Sequence, residues 1–475
     1  MRIKMAFRKM LAAAIAAGTF AVMPLASAEV KEYEGFGEYV MSDFETPDTA
    51  KQRAKERAEQ NAMEQAGVYL ESYTEVVNAR ITKDEIKTIT NGILKVKDVK
   101  YVMSPISESG GSFQITATLK ATIDTNGIDD WLKRSEKEKS DLVAQNQELM
   151  KTNAEQERQI TDLKRKLATT SDEQDRKKLS IEFENADQSF LAKQKVAEGL
   201  RKFYDNDYVG AACLYMDAIK LDSQYADAYH KLGNAEAMMG LYDVACMEYD
   251  TAIRLDPNNA EIYLSRGAAH MRMGDYNQTI HDIDTAIQID NHNTEAYSFR
   301  GTVYNSIGKY MQAIEDFNIA IKLNPKNGRN YGSRATSYSA LGLYEKAIAD
   351  RTTAIKLDNS SLIVLEYQWR AQDYRAIKQY SKAVSDLTTA IKIYPQMMPD
   401  FARGKIGTQL HTERALSYSL LGNEQEAILD YTRAIQLDPD NAMAYYGRAL
   451  CYASIGNYQQ ANADKAKAKA LGYTE

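Results

Sequence analysis

Gly301, Gly308 and Lys309 in the run GTVYNSIGKY place two glycines before a lysine, as a phosphate-binding loop does. Such a loop needs four residues between its glycines, so that successive backbone N–H groups close round a phosphate, and a hydroxyl after the lysine for Mg²⁺. Here six residues separate the glycines, and Tyr310 stands where Ser or Thr is required. The flanks AYSFR and MQAIEDFNIAIKLNP space apolar residues by three and four, the period of a helix rather than of the strand that must precede the loop. The glycines therefore need another explanation. The five histidines, His230, His270, His281, His292 and His411, include no H-x-x-x-H pair, and no two cysteines stand at zinc spacing. No G-x-S-x-G elbow and no Ser, His and Asp grouping is present. The residues thus indicate no catalytic group, metal or cofactor. The odd trio Cys213, Cys246 and Cys451 falls inside helical patterns and reads as small buried apolar residues, not a disulfide framework.

One charged pattern recurs. Arg266, Arg300, Arg334, Arg370, Arg414 and Arg448 are followed, sixteen residues on, by Asp282, Asp316, Asp350, Asp386, Asp430 and Asp464. An anion-binding stripe is one reading. A ladder of ion pairs between helices is favoured, because a guanidinium held near a core needs a carboxylate partner.

The elements that must position these charges follow from internal repetition. Ala-Ile recurs at 218, 252, 286, 320 and 354 in steps of 34, then at 390 and 434, with Ala468 a further 34 on. The steps of 36 and 44 are insertions between units. Nineteen residues before each alanine stands a small residue, Gly199, Gly233, Gly267, Gly301, Ala335, Ala371, Ala415 or Ala449, where two helices approach closely. Seven residues later Gly240, Gly274, Gly308, Gly342, Gly422 or Gly456 ends the first helix in a left-handed conformation, with Asn206 and Lys378 in the two remaining units. Two residues further, Tyr208, Tyr242, Tyr276, Tyr310, Tyr344, Tyr380 and Tyr458 begin the second helix and are expected to wedge between the helices; Glu424 is the exception. Pro257, Pro325, Pro395 and Pro439 are expected to end second helices, since proline lacks the backbone donor. In the last unit the isoleucine that closes earlier second helices becomes Lys469, a polar cap at which the stack is expected to end.

This order of tyrosine, small residue, tyrosine, Gly-x-Tyr, alanine, alanine and proline resembles the tetratricopeptide repeat over about residues 192 to 472, most clearly in AYSFRGTVYNSIGKYMQAIEDFNIAIKLNP. The resemblance implies a right-handed superhelix of about eight helical hairpins over 196–475, whose first helices line a groove that holds a protein or peptide. It places the groove contacts at His230, Asn234, Glu261, Arg272, Glu295, Thr302, Asn305, Arg329, Thr336, Ser339, Gln372 and Arg375. The lysine of the clamp that some such proteins use for acidic chain termini is replaced by His230, Leu264, Ser298, Gly332 and Gln368.

The remaining chain is of other kinds. In residues 1–28, Arg2, Lys4, Arg8 and Lys9 precede the run LAAAIAAGTFAVMPL and an ASA site, the form of a cleaved export signal. The 475-residue chain has net charge −7, and removing that leader leaves −11, which disfavours nucleic acid as a partner. After signal removal no apolar run is long enough to span a membrane.

Residues 29–125 read as a small α+β module. VKEYEGFGEYVM suggests a strand, Thr46-Pro47 a helix start, and Ala50, Ala54, Ala58, Ala62 and Ala66 a stripe that lies flat on a sheet. TKDE at 82 to 85 suggests a second helix, and DVKYVMSPISESGGSFQITATLKATI two strands joined near Gly110-Gly111. The run RAEQNAMEQAGVYLESYTEVVNARITKDEI is similar to the amino-terminal domain of a flagellar-assembly family and to small domains of bacterial envelope lipoproteins, which implies a cell-envelope module.

Within 126–170, Ile128, Leu132, Leu142, Leu149, Ile160, Leu163 and Leu167 fit a heptad with Asn146, Asn153 and Gln156 on its seam. This is either a coiled coil that makes a homo-oligomer through residues 128–170 or a solvated spacer helix. Ser171 with Gln174 starts a helical linker, 171–195, that caps the repeats.

The expected fold is thus mainly α, a superhelix of hairpins preceded by an α+β domain and a coiled-coil helix. The expected function is a non-enzymatic exported scaffold of the periplasm or outer envelope. The alternative is a structural envelope component whose α+β module binds peptidoglycan or an outer-membrane assembly, with the solenoid as spacer.

Overall fold

The computed structural model describes residues 30–41, 47–76, 86, 90, 94–106, 113–124, 136–357, 363–397 and 400–473. The leader, the TKDE segment, Gly110-Gly111, Ile128 and Leu132 lie outside them. The chain divides into two units, Met1–Ala228 and Tyr229–Glu475. Among the described residues there are eighteen helices and one three-stranded sheet.

In the first unit, β1 (Val30–Met41), β2 (Leu94–Pro105) and β3 (Phe113–Asp124) form an antiparallel sheet in the order β1-β3-β2. Helix α1 (Pro47–Val76) lies across it, and Ala50, Ala54, Ala58, Ala62 and Ala66 are each fully buried. A stripe of methyl groups lets the helix backbone reach the sheet. A Cβ on Gly35 would lie 2.1 Å from the Ala58 carbonyl oxygen, and one on Gly37 would lie 2.2 Å from that of Ala54. Glycine is required there because helix backbone occupies the space of a side chain. Tyr33, Tyr39, Ile115, Ala117, Leu119 and Ala121 complete this core.

Helix α2 (Glu136–Thr169) turns at Asp172 into α3 (Glu173–Tyr204). The cap is Asp172, whose side chain accepts from the N–H groups of Gln174 and Asp175, one residue beyond the expected Ser171. The 171–195 linker is therefore the first part of one 32-residue helix that also serves as the first helix of the first repeat. Ile160, Leu163 and Leu167 of the α2 heptad are buried with Phe183 and Phe190 of α3, so this end of the seam packs within the chain. Helix α4 (Tyr208–Leu221) closes the first hairpin, with the Tyr215 ring 2.5 Å from where a Cβ on Gly199 would stand.

The second unit is a run of hairpins: α5 (Ala226–Met238, beginning just before the division) with α6 (Tyr242–Leu255), α7 (Ala260–Met273) with α8 (Tyr276–Ile289), and α9 (Thr294–Ser306) with α10 (Tyr310–Leu323). Then come α11 (Gly328–Ala340) with α12 (Tyr344–Leu357), α13 (Ile363–Ala376) with α14 (Tyr380–Met397), α15 (Asp400–Leu420) with α16 (Glu424–Leu437), and α17 (Ala442–Ser454) with α18 (Tyr458–Ala470). Asn259, Asn293, Asn327 and Asn441 cap leading helices with their side-chain oxygens. Every expected helix stop has positive φ, from 73° at Gly342 to 83° at Gly274, and Asn206 and Lys378 share it at 62° and 60°.

Two expectations are corrected. The tyrosines that open the second helices are only partly buried, and Tyr276 and Tyr458 are exposed. The wedge is seven residues further on, where a Cβ on Gly233 would stand 2.7 Å from the Tyr249 ring and one on Gly301 would stand 2.9 Å from that of Phe317. Pro395 lies inside α14 instead of ending it. The insertion behind the 44-residue step is absorbed there, since α14 and α15 run to 18 and 21 residues against 13 or 14 in the other helices of this unit. Of the cysteines only Cys451 is buried; Cys213 is exposed, and all three are free.

Candidate functional site

Six arginines fix the spacing of the hairpins in the second unit. Each donates from Nε and Nη2 to both oxygens of the aspartate sixteen residues on, as in Arg300 with Asp316 at 2.8 and 2.6 Å. Arg266, Arg334, Arg370, Arg414 and Arg448 repeat the fork on Asp282, Asp350, Asp386, Asp430 and Asp464. The remaining nitrogen, Nη1, reaches the second helix of the preceding hairpin at Asp250, Asp284, Asn318, Thr352, Thr388 or Thr432. One guanidinium therefore ties three helices, and the ladder is structural. Tyrosines three before and four after flank the planes of Arg300, Arg334, Arg370 and Arg448, as Tyr297 and Tyr304 do for Arg300 at 5.7 and 6.0 Å, while Arg266 and Arg414 have one each, Tyr263 and Tyr418.

Burial pushes the Asp316 carboxyl above its ordinary range despite Arg300. At Asp430 burial acts the same way, but hydrogen bonds from Arg414 and His411 outweigh it and hold the group low.

The leading helices bond to one another through their polar side chains. Ser298 donates to Asn330 at 2.8 Å, Ser337 to Asn305 at 2.7 Å and Ser339 to Asp373 at 2.6 Å. Gln368, Gln372 and Arg375 of α13 all donate to the Glu413 carboxylate of α15.

Between them Arg351 is only 3% exposed, donating to Asp373 at 2.8 Å and Glu366 at 3.1 Å with its plane over Trp369. It occupies the wedge position that Tyr249, Ile283, Phe317, Leu387 and Tyr431 fill elsewhere. The Glu366 carboxylate would lie 2.3 Å from a Cβ on Gly332, which explains the glycine there. Sequence reading missed this cluster, although its signal was present as a charged residue in an apolar column.

Of the expected groove residues, Glu261, Arg272, Glu295, Thr302, Arg329 and Thr336 are exposed on α7, α9 and α11. His230 is buried, with Nε2 3.0 Å from Ser265 Oγ, and burial pulls its pKa down to about 3. Asn234 accepts from Tyr249, while Asn305, Ser339, Gln372 and Arg375 are held in the inter-helix bonds.

Further along, Leu416 and Leu420 of α15 and Met443 and Leu450 of α17 are exposed. Beside them a cleft of about 580 Å³ opens between Lys405, Thr408, Gln409 and Thr412 on one side and Leu437, Pro439 and Met443 on the other. Among the described residues no group of His, Cys, Asp or Glu is placed to hold a metal ion, and no helix is long and apolar enough to cross a membrane.

Comparison with known proteins bears on the repeats. A TPR repeat model matches residues 234–274 and 416–456, and a tetratricopeptide repeat model matches 294–327. No curated protein matches the chain. Among solved structures, the C-terminal part of a TPR repeat-containing protein from Cytophaga hutchinsonii is 17% identical over 53% of this chain and 98% of its own, with a TM-score of 0.45. A tetratricopeptide repeat protein from Parabacteroides merdae is 19% identical over 56% and 99%, with a TM-score of 0.40. YrrB, described as a TPR protein with an unusual peptide-binding site, is 20% identical over 34% and 84%, with a TM-score of 0.31. The matched segments fall on hairpins that carry the left-handed glycine stop and the small-residue contact, and these hairpins are tetratricopeptide repeats.

Proposed function

We propose that the chain is a non-enzymatic, exported scaffold that holds an extended protein segment along the leading-helix face of its second unit. The observation that carries this reading is the change of surface along that face. Polar side chains of α7, α9 and α11 stand exposed, and α15 and α17 then present Leu416, Leu420, Met443 and Leu450 beside an open cleft. Exposed large apolar side chains on leading helices beside a cleft suit the lining of a peptide groove. Arg375 is paired with Glu413 and Arg351 lies between two carboxylates, so neither guanidinium is open to an acidic chain terminus, and a segment within a chain is the reading these two residues favour.

Affinity capture from an envelope extract tests this with the mature chain, a Glu295→Ala/Thr302→Ala/Arg329→Ala/Thr336→Ala variant and a Leu416→Ser/Met443→Ser/Leu450→Ser variant. A protein retained by the unaltered chain and lost by both variants supports the groove. Equal capture by all three sinks it.

A further inference from the structure

The two edges of the amino-terminal sheet are treated differently. On β1 the backbone groups that point away from the sheet are bonded to α1. Arg57 donates to the Glu38 carbonyl at 2.6 Å, Gln65 donates to the Glu34 carbonyl at 2.9 Å, and the Phe36 N–H donates to Asn61 Oδ1 at 3.3 Å. These three side chains, at four-residue spacing on one helix face, close that edge to any further strand.

The outward groups of β1 fix those of β2. In an antiparallel ladder the N–H and C=O of one residue point to the same side, and alternate residues to opposite sides. Since Glu34, Phe36 and Glu38 point outward, Gly35, Gly37 and Tyr39 bond to Leu119, Ala117 and Ile115 of β3. The intervening β3 residues Thr118, Thr116 and Gln114 then bond to their β2 partners Lys100, Val102 and Ser104. What remains on the outer edge of β2 is the N–H and C=O of Val99, Tyr101 and Met103. The stretch is bounded by the irregularity between Val96 and Asp98 and by Pro105, which has no N–H to offer. Tyr101, Val102 and Met103 are exposed, and no side chain among the described residues bonds to these groups.

We propose that β2 is a docking edge for one extended strand of another protein, apolar beside Tyr101, Val102 and Met103 and acidic beside Lys100. Main-chain bonds to Val99, Tyr101 and Met103 supply the affinity, and alternate side chains supply the specificity. The charge follows from β2, where Lys95, Lys97 and Lys100 outnumber Asp98 in an otherwise acidic chain. Lys95 and Lys97 already pair with Asp205 and Glu32, which leaves Lys100 to meet an incoming carboxylate. A second copy is disfavoured as the occupant. Helix α3 stands at this edge through Asp205 and through Glu198, which raises the Tyr101 pKa behind burial and Glu59. Two copies joined edge to edge would crowd two such helices across neighbouring strands, about 5 Å apart, where packed helices need about 8–10 Å.

The test uses the mature chain and a short acetylated peptide of alternating valine and glutamate, read by residue-resolved amide exchange. In the free chain the amides of Val99, Tyr101 and Met103 exchange fast, while those of Lys100 and Val102 are protected. Saturating peptide slows the three outward amides at least tenfold. A peptide N-methylated at alternate residues gives no protection, a valine–lysine peptide binds more weakly, and Met103→Pro weakens binding roughly tenfold. Protection of the outward amides in the free chain would overturn the proposal. So would equal binding of the N-methylated peptide to the unaltered chain, which needs no variant to fold. Equal binding of the lysine peptide would overturn the acidic assignment.

Discussion

Lys378 holds a φ of 60° at the helix stop where six other hairpins use glycine at 73° to 83°. A side chain in that conformation costs about 1–2 kcal/mol, of which glycine's greater freedom in the unfolded chain returns a part. Lys378→Gly is therefore expected to stabilise the second unit by about 0.5–1 kcal/mol, and Gly308→Ala to destabilise it by a similar amount, both read from urea midpoints. His230 shows the opposite kind of constraint. Its place on a leading helix suggests a groove ligand, yet burial against Tyr249 and Ser265 removes it from solvent. The spacing gave its helix and position but not its exposure, because that depends on the neighbouring hairpin.

Between elements, the arginine ladder converts a sixteen-residue spacing into a joint of three helices. Asp316 is 2% exposed, so removing its partner strands a charge in the core. Arg300→Leu is expected to cost about 3 kcal/mol in chemical denaturation. The double substitution Arg300→Leu/Asp316→Leu should recover most of that loss, because no lone carboxylate is then left buried. A double variant no more stable than the single one would show that packing of the arginine stem, not charge, carries the joint. The Arg351 cluster is the same device placed at the wedge, where its neighbours use aromatic or aliphatic side chains.

Over the whole chain, the first unit carries a pH dependence of its own. Burial, with Glu59 and Glu157 adding, pushes the Glu56 carboxyl of α1 up to about 8. In the unfolded chain it titrates near 4.5, so between about pH 4.5 and 8 the folded unit binds the extra proton. Stability contributed by this group is full below that window and falls as pH rises through it. Glu56→Gln should flatten the dependence of the first unit's thermal midpoint on pH across the window, leaving the acid side nearly unchanged. An undiminished slope in the variant would assign the effect elsewhere.

The sequence by itself determined the hairpin count, the helix stops, the close contacts at small residues and the arginine ladder. Each is a local or one-period relation, and thirty-four residues of spacing carry it. It likewise determined the alanine stripe of α1, because a helix face that narrow fits only a flat partner. Tertiary structure alone decided which side chain forms the wedge, that Ile160, Leu163 and Leu167 turn onto α3, and that Asn305 and Arg375 are already bonded. It also decided that the outer edge of β1 is bonded to α1 while, among the described residues, no side chain bonds to that of β2. These outcomes depend on which surfaces meet across units or strands far apart in sequence, and no periodicity within one element records its partner.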